Sequence, residues 1–239
     1  KRIMSYKGIK NFIADFKEPI NFKRKAKERL KEEGETATKK AVEEMEIILK
    51  KEYEEAGDRG KKLHSKIQDN KTKIKKYIVE GWEEPVDKTI PPDPSTNILN
   101  NNTSYIEKKI ISEKYKLIGY VDEINVIKNY INIEDIKTSK KIYKSSAIKL
   151  KNGFILPPKY YYSPIDNIQD CNFYQAALQM SLYMYILWTY NKKLKPGKLH
   201  IRHIKTNDRD EILEEELIEV PYLLEEVKKM LKHRIKNGI

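Results

Sequence analysis

The sequence has a single cysteine, Cys171, among its 239 residues. One thiol excludes an internal disulfide framework, and it excludes a zinc or iron–sulfur centre held by cysteines. Chains without disulfides are typical of reducing surroundings. We therefore expect the protein to work in a reducing intracellular compartment.

Long apolar runs are also missing. The longest, from Met180 to Trp188, is far shorter than the roughly 20 residues that span a membrane. The N-terminus has no signal-peptide pattern, and no stretch matches the phosphate-binding pattern G-x-x-x-x-G-K-[ST]. We expect no membrane association, and any ATP-driven step would require a partner.

Acidic residues are in the minority. The 36 Asp and Glu face 48 Lys and Arg, which gives a formal net charge of +12 and a pI of about 9.3. A strongly basic chain favours a polyanionic partner, with nucleic acid the first candidate. A lysine-rich surface that only confers solubility explains the composition equally well. Hydrophobic residues make up 39% of the chain, enough for a core in one large domain or two small ones.

Helical spacing of apolar residues dominates the first third of the sequence. A long amphipathic helix is predicted to end at Gly57, and a further helix capped by Asp58 carries Gly60 and His64. The Pro- and Asn-rich stretch 85–102 is predicted to be an exposed connector. These patterns indicate a helical N-terminal region.

Strands dominate the chain after the connector. They are predicted at 105–112, 115–127, 130–138 and 198–206, with another near 211–220, and helices at 169–190 and 221–236. This order predicts an α/β (α+β) fold with a central mixed β-sheet flanked by helices. We expect one domain, with a helical N-terminal region at 1–84 and a core of sheet and helices at 103–239.

Two acids stand where strand residues are usually apolar. Asp122 lies in LIGYVDEI and Asp135 in YINIEDIK, two runs separated by Lys128 and Asn129. Because side chains alternate along a strand, Asp135 and Lys137 share one face, and pairing of the runs as a hairpin lets Asp122 face Asp135. Such a cluster is costly to desolvate unless a cation or substrate completes it. An exposed Lys–Asp pair on a strand face is the alternative.

This cluster has the chemistry of a cation site. Mg²⁺ and Mn²⁺ take carboxylate oxygens, backbone carbonyls and water, so Asp122, Asp135 and the backbone carbonyl of Ile136 are candidate ligands. A cation bound there polarises a phosphoryl oxygen and activates water. Lys137 would orient that water, help to deprotonate it, or neutralise charge on the phosphate.

Polar residues also interrupt the apolar helix predicted at 169–190. Gln175, Gln179 and Tyr183 recur every four residues and therefore line one face. Polar groups that face a core need partners. We expect Gln179 to hold Lys137 or a phosphate and Tyr183 to touch a nucleic-acid backbone, unless this face simply meets water.

Histidines give a weaker signal. His64 follows Gly60 by one helical turn, and alone it is an ordinary surface or core residue, which gains meaning only beside the two acids. His200 and His203 are three residues apart in a predicted strand, so they lie on opposite faces and are not expected to share a metal.

Taken together, these residues resemble the PD-(D/E)XK nuclease superfamily, specifically its RecB-like exonuclease branch. The resemblance covers most of the chain and implies a restriction-endonuclease-like fold. The stretches that carry it, in the order of the family's motifs, are Ser5-Tyr6 with Phe12 to Pro19 and Phe22, Gly60-Lys-Lys-Leu-His64, Gly119-Tyr-Val-Asp122, Asp135-Ile-Lys137-Thr138-Ser139 and Gln179-Met-Ser-Leu-Tyr183.

The resemblance also implies roles for individual residues and a reaction, Mg²⁺-dependent phosphodiester hydrolysis that leaves a 5′-phosphate. The four cysteines that hold an iron–sulfur cluster in some relatives are absent, so no cluster is expected. The implied roles are metal ligands for Asp122 and Asp135, the catalytic lysine for Lys137, a second metal position or its shell for His64, positioning of Lys137 and the substrate strand for Gln179 and Tyr183, and an accessory acid for Glu113.

We therefore predict a metal-dependent DNA nuclease of replication, recombination or repair. It is expected to act as an exonuclease, or on single strands or duplex ends, with a helicase or recombination protein as candidate partner. The compact, lysine-rich chain would suit a bacterial or phage-infected cell. Tyr160, Tyr161 and Tyr162 either stack on unpaired bases or pack within their loop.

Two other classes of function compete with the nuclease. One is a nuclease-like module that binds DNA without cutting it, and the presence of all three site residues, Asp122, Asp135 and Lys137, argues against it. The other is a helical adaptor that binds protein, which explains neither the acids in the strands nor Gln179.

Overall fold

The computed structural model describes residues 6–74, 78–79, 93–139, 141–149, 153–207 and 212–237, without the side chains of 63–64, 67–74 and 78–79. The helices are α1 (Ile9–Ala14), α2 (Phe22–Glu32), α3 (Lys39–Ile74), α4 (Asn172–Tyr190) and α5 (Leu224–Lys236). The strands are β1 (Lys7–Gly8), β2 (Ile78–Val79), β3 (Ser104–Ser112), β4 (Leu117–Ile127), β5 (Tyr130–Lys137), β6 (Ile148–Lys149), β7 (Ile155–Leu156), β8 (Lys195–Thr206) and β9 (Ile212–Val220).

The central sheet is mixed. Its strands run in the order β2-β3-β4-β5-β8-β9, and β1 pairs with β4 beside this path. Strands β3, β4 and β5 form an antiparallel meander, whereas β5 and β8 are parallel. The turn between β4 and β5 consists of Lys128 and Asn129, which both have positive φ, as a two-residue turn matched to strand twist requires. The predicted α+β class, with helices flanking a mixed sheet, is confirmed.

Helix α4 packs on one face of the sheet and forms the centre of the core. Most of its side chains are buried, from Phe173 to Leu187, because it contacts β5 and β8 of the sheet and also packs against α1 and α5. Ile133 on β5 and Ile201 on β8 face it. Among the described helices, none is long and apolar enough to cross a membrane.

Helix α3 differs from the sequence-based expectation. It runs without a break from Lys39 to Ile74, through Gly57 and Gly60, so the predicted helix end at Gly57 is wrong. A helical glycine costs only about 1 kcal/mol relative to alanine, which the surrounding helix tolerates. The first half of α3 packs on α2 in a small separate cluster built on Ala26, Leu30, Val42 and Met45.

The N-terminal segment, residues 7–14, packs into the main core. Lys7 and Gly8 pair with Leu117 and Ile118 of β4, and α1 buries three apolar side chains, Ile9, Phe12 and Ile13. Ser5, the first residue of the stretches that carry the family resemblance, lies outside the described residues. Strand β1 therefore holds α1 against the start of β4.

Candidate active site

Strands β4 and β5 separate where the two acids lie. Their ladder runs from Ile127 and Tyr130 to Glu123 and Glu134. The next pair would join Asp122 to Asp135, but Asp122 Oδ2 instead accepts a hydrogen bond of 2.7 Å from the backbone N–H of Ile136. A side-chain carboxylate thus replaces a backbone carbonyl as the acceptor, and the ends of the two strands are free to diverge.

Lys137 reaches back to Asp135 on the same face of β5. The Lys137 Nζ to Asp135 Oδ2 distance is 2.5 Å, and the side chains are 28% and 4% exposed respectively. This face is the one on which Ile133 enters the core, as strand alternation requires. The carboxylate therefore lies at the bottom of the site and the ammonium at its solvent edge, as the D-x-K spacing predicts.

Burial and charge act together on these groups. Burial raises the pKa of Asp135, the Lys137 ammonium opposes that rise, Asp122 adds to it, and Lys10 of α1 opposes it from further away. Burial alone would lower the pKa of Lys137, but the carboxylates of Asp135 and Asp122 outweigh it and the net shift is upward. Lys137 is therefore a cation at neutral pH.

The Asp135 carboxylate has a charged partner. Its Oδ2 atom is buried and lies 2.5 Å from Lys137 Nζ, which balances its charge. A buried pair of charges is costly to remove from water. Hard cations take carboxylate oxygens as ligands, and Asp122 and Asp135 bring two carboxylates to one point of the sheet, so the residues present fit Mg²⁺ or Mn²⁺. No described group of three His, Cys, Asp or Glu side chains forms a complete metal cage, and further donors must be backbone, water or His64.

Gln179 holds Asp135 from the opposite side. Its Nε2 amide donates to Asp135 Oδ1 at 3.3 Å and lies 3.2 Å from the hydroxyl of Tyr183. The sequence predicts that Gln179 holds Lys137 or a phosphate, and the structure shows its amide on Asp135 instead of Lys137. Burial raises the pKa of Tyr183, and the charge of Asp135 adds to that shift, so the phenol stays neutral. Tyr183 is fully buried, and in this structure it supports the site from below.

The third member of the predicted polar face is separate. Gln175 Oε1 accepts a hydrogen bond of 3.2 Å from Lys17 Nζ, and the same ammonium lies 3.7 Å from Asp170. Gln179 therefore contacts Asp135 and Tyr183 contacts Gln179, whereas Gln175 binds Lys17 in the loop after α1.

Gly119 explains part of the Gly-x-x-Asp pattern on β4. A Cβ atom at Gly119 would lie 2.7 Å from Tyr183 Cε1 and 2.9 Å from its hydroxyl oxygen. The backbone of β4 therefore allows the ring of Tyr183 to lie directly against it, and this contact fixes the hydroxyl beneath Gln179.

Replacing Gly119 by alanine is expected to destabilise the fold by about 1–3 kcal/mol, because the new methyl group overlaps a buried ring. The matched control is Gly57→Ala in α3, where nothing lies within 4 Å of the new Cβ and helix propensity predicts a gain of about 0.5–1 kcal/mol. Urea denaturation monitored by circular dichroism measures both. Equal stabilities for the two variants would contradict the packing argument.

His203 is a site residue that the sequence analysis missed. It is buried beside Lys137 in the β5–β8 register, and its Nε2 atom lies 2.6 Å from the carbonyl oxygen of Ser139. A carbonyl only accepts, so Nε2 carries the proton. The imidazole thereby fixes the chain that leaves the site after Lys137. Strand alternation gives a signal for this position, since residues 201 and 203 of β8 share one face.

Three predicted site residues remain: His64, Ile136 and Glu113. Helix α3 passes beside the end of β5, since a Cβ at Gly60 would lie 3.1 Å from Thr138 Oγ1. His64 follows one turn later on α3, and its side chain lies outside the described residues, so its role stays a prediction. The Ile136 carbonyl likewise stays a predicted ligand. Glu113 is exposed in the turn between β3 and β4, which lies before Leu117, itself roughly 17 Å along β4 from Asp122, and the structure does not bring Glu113 to the site.

Comparisons with known proteins add little to this picture. No family model matches the chain, and no curated protein matches it. Among solved structures, the crystal structure of SSO0001 is similar with a TM-score of 0.36 and 13% sequence identity, over 100% of this chain and 79% of that one. A likeness at this level carries no argument about fold or function.

Proposed function

We propose that the protein is a metal-dependent nuclease of the PD-(D/E)XK type that hydrolyses phosphodiester bonds in DNA. One observation carries the proposal: Asp122, Asp135 and Lys137 converge at the point where β4 and β5 separate. Two carboxylates beside one ammonium match the needs of a divalent cation and a phosphate, and a purely structural ion pair requires only one carboxylate.

Each residue has a role that follows from its position. Asp122 and Asp135 would hold Mg²⁺ or Mn²⁺ with the Ile136 carbonyl, and Gln179 keeps Asp135 oriented. The cation would polarise a phosphoryl oxygen and lower the pKa of a bound water. Lys137 would orient the bound water, help to deprotonate it, or neutralise charge on the phosphate.

The net charge of +12 supports a polyanionic substrate, which we take to be DNA with single strands or free ends. A helicase or recombination protein would supply strand separation, since no phosphate-binding loop of the motor type is present in the sequence. We place this activity in a reducing compartment of a bacterial or phage-infected cell. The single buried cysteine is compatible with that setting.

A cleavage assay with end-labelled DNA tests the proposal. We expect products from single-stranded or duplex DNA with Mg²⁺ or Mn²⁺, none with EDTA, and none from Asp122→Ala with either cation. Labels at one terminus, with the other blocked, separate exonuclease from endonuclease products. Binding of DNA by the wild-type protein without any metal-dependent product would contradict the nuclease and would favour a DNA-binding module.

A further inference from the structure

The chain between β5 and α4 carries a concentrated positive charge. Between Asp135 and Asp166 the sequence has seven lysines and no acidic residue. The described part, 141–149 and 153–162, is here called the arm. Its four described lysines, Lys141, Lys144, Lys149 and Lys159, are all exposed. Such a segment repels itself in isolation and attracts a polyanion.

The same arm exposes an unusual amount of apolar surface. Strands β6 and β7 form a two-stranded sheet of their own, with Ile148 opposite Leu156, and a hairpin of this kind is marginally stable in water. The large apolar side chains of the arm that are exposed are Tyr143, Ile148, Phe154, Ile155, Leu156, Tyr160 and Tyr162. Lysines and rings alternate here, and Lys141 Nζ lies 5.3 Å from the ring centroid of Tyr143.

The three consecutive tyrosines have different environments. Tyr161 is 2% exposed, whereas Tyr160 and Tyr162 are 47% and 52% exposed. The backbone N–H of Tyr161 donates to the carbonyl of Ile168 at 2.9 Å, and Tyr160 forms a bridge with Gln169. The middle ring therefore anchors the segment in the core, and the rings on either side of it face solvent from a fixed backbone.

One end of the arm is attached next to the candidate active site, and the other end is attached to the segment that follows α1. The arm begins four residues after Lys137, and Asn172 at the start of α4 binds it twice, accepting from the Tyr143 N–H and donating to the Lys141 carbonyl, each at 2.7 Å. Asn172 precedes Gln179 by seven residues, or about 10 Å of helix. At the other end, the Tyr162 N–H donates to the Phe16 carbonyl.

We propose that the arm binds single-stranded DNA, with its exposed rings stacked on unpaired bases and its lysines on the phosphates, and leads the strand to the carboxylate site. This inference rests on the proposed function and narrows its substrate to an unpaired strand. Flat rings bind bases of any sequence, and lysines follow a flexible backbone without sequence readout. Duplex DNA hides its base faces, so it cannot use the rings.

Fluorescence anisotropy of a labelled oligothymidylate, measured in EDTA, tests the arm without cleavage. Tyr160→Ser and Tyr162→Ser are each expected to weaken binding about tenfold, the loss typical of one base–aromatic stack, and Tyr162→Phe is expected to bind like the wild type. The matched control is Tyr130→Ser. Tyr130 is also an exposed tyrosine near a lysine, 5.9 Å from Lys195 Nζ, but it lies at the opposite end of β5 from Lys137.

The lysines give an independent readout. Lys144→Gln and Lys149→Gln are each expected to reduce the slope of log affinity against log salt concentration by about 0.7. Affinity for a blunt duplex should change little in the ring variants, since its bases are not available for stacking.

Several results would overturn the arm as a DNA site. The first is wild-type affinity for oligothymidylate in both tyrosine variants. The second is a loss of affinity in Tyr130→Ser equal to that in Tyr160→Ser and Tyr162→Ser. The third is tighter binding of oligouridylate than of oligothymidylate by the wild type. Self-association of the wild type that Tyr162→Ser abolishes, with DNA affinity unchanged, would assign the rings to a second copy of the chain. The binding assay contains EDTA, so it is independent of cleavage. If the arm binds the strand but the cleavage assay with Mg²⁺ or Mn²⁺ gives no product, only the proposed nuclease activity is refuted. If the protein cleaves DNA but the tyrosine variants bind it with wild-type affinity, only the role of the arm is refuted.

Discussion

Replacing Lys137 by methionine is expected to lower the rate of Mg²⁺-dependent DNA cleavage by about 10²- to 10³-fold. That is the cost of removing one charged group from a site where negative charge develops. The Lys137 ammonium lies 2.5 Å from Asp135, and the carboxylates of Asp135 and Asp122 raise its pKa, so a phosphate bound at the proposed site would meet a positive charge. Rates of product formation from labelled DNA under single-turnover conditions measure the effect.

The control for this prediction is Lys198→Met. Lys198 lies in the sheet on β8, and its exposed ammonium pairs with Glu219 at 2.9 Å, so we expect less than a twofold change in rate. Loss of Lys137 leaves the buried Asp135 carboxylate without the ammonium that pairs with it, so thermal unfolding of Lys137→Met must be measured alongside.

Lys137→Arg is a second variant, which keeps the positive charge beside Asp135 but changes the shape of the charged group. Full activity in a folded Lys137→Met protein would refute the role of this lysine.

Mg²⁺ or Mn²⁺ is expected to raise the melting temperature of the wild-type protein by about 5–10 °C at a concentration 100 times the dissociation constant. A ligand at that ratio stabilises the folded state by about 2.7 kcal/mol, and 1 kcal/mol shifts the melting temperature of a chain of this size by about 2–4 °C. Asp135→Asn should abolish the shift, because it removes the buried charge that the cation neutralises. Differential scanning fluorimetry measures it.

The surface variant Glu219→Gln is the control for the cation effect and should keep the full shift. A shift that survives in Asp135→Asn would place the cation elsewhere.

Without metal, the pH dependence of stability gives a second test of Asp135. The folded-state pKa of Asp135 is raised above its ordinary value of 3.8, so its contribution to stability is present at low pH and lost as pH rises through the folded-state pKa. In EDTA, we therefore expect the free energy of unfolding of the wild type to fall relative to that of Asp135→Asn as the pH rises from the ordinary pKa of Asp135, 3.8, through its raised folded-state pKa.

Local patterns in the sequence are sufficient to predict the centre of the site. Alternation along β5 places Asp135 and Lys137 on one face, and the two-residue turn at Lys128 and Asn129 fixes which residues β4 and β5 pair. Both follow from short-range geometry, so the approach of Asp122 to this face can be derived from the amino-acid sequence alone.

Contacts between distant elements are beyond such reasoning. Gln179 binds Asp135 rather than Lys137 because of the rotation and height of α4 over the sheet, which no residue spacing encodes. His203 reaches Ser139 through the parallel β5–β8 register, which depends on a long connection. The continuity of α3 through Gly57 was missed for a different reason, since a glycine stops a helix only when the chain turns there.

The hydrogen bond from the Ile136 N–H to Asp122 gives this protein a natural spectroscopic probe. A cation bound by Asp122 would draw electron density from the carboxylate that accepts this amide proton, and the nitrogen-15 resonance of a single backbone position would follow the metal. Ile136 need not be altered or labelled chemically for this purpose. Titration of one amide signal in the intact chain would report occupancy at the point where the two strands part.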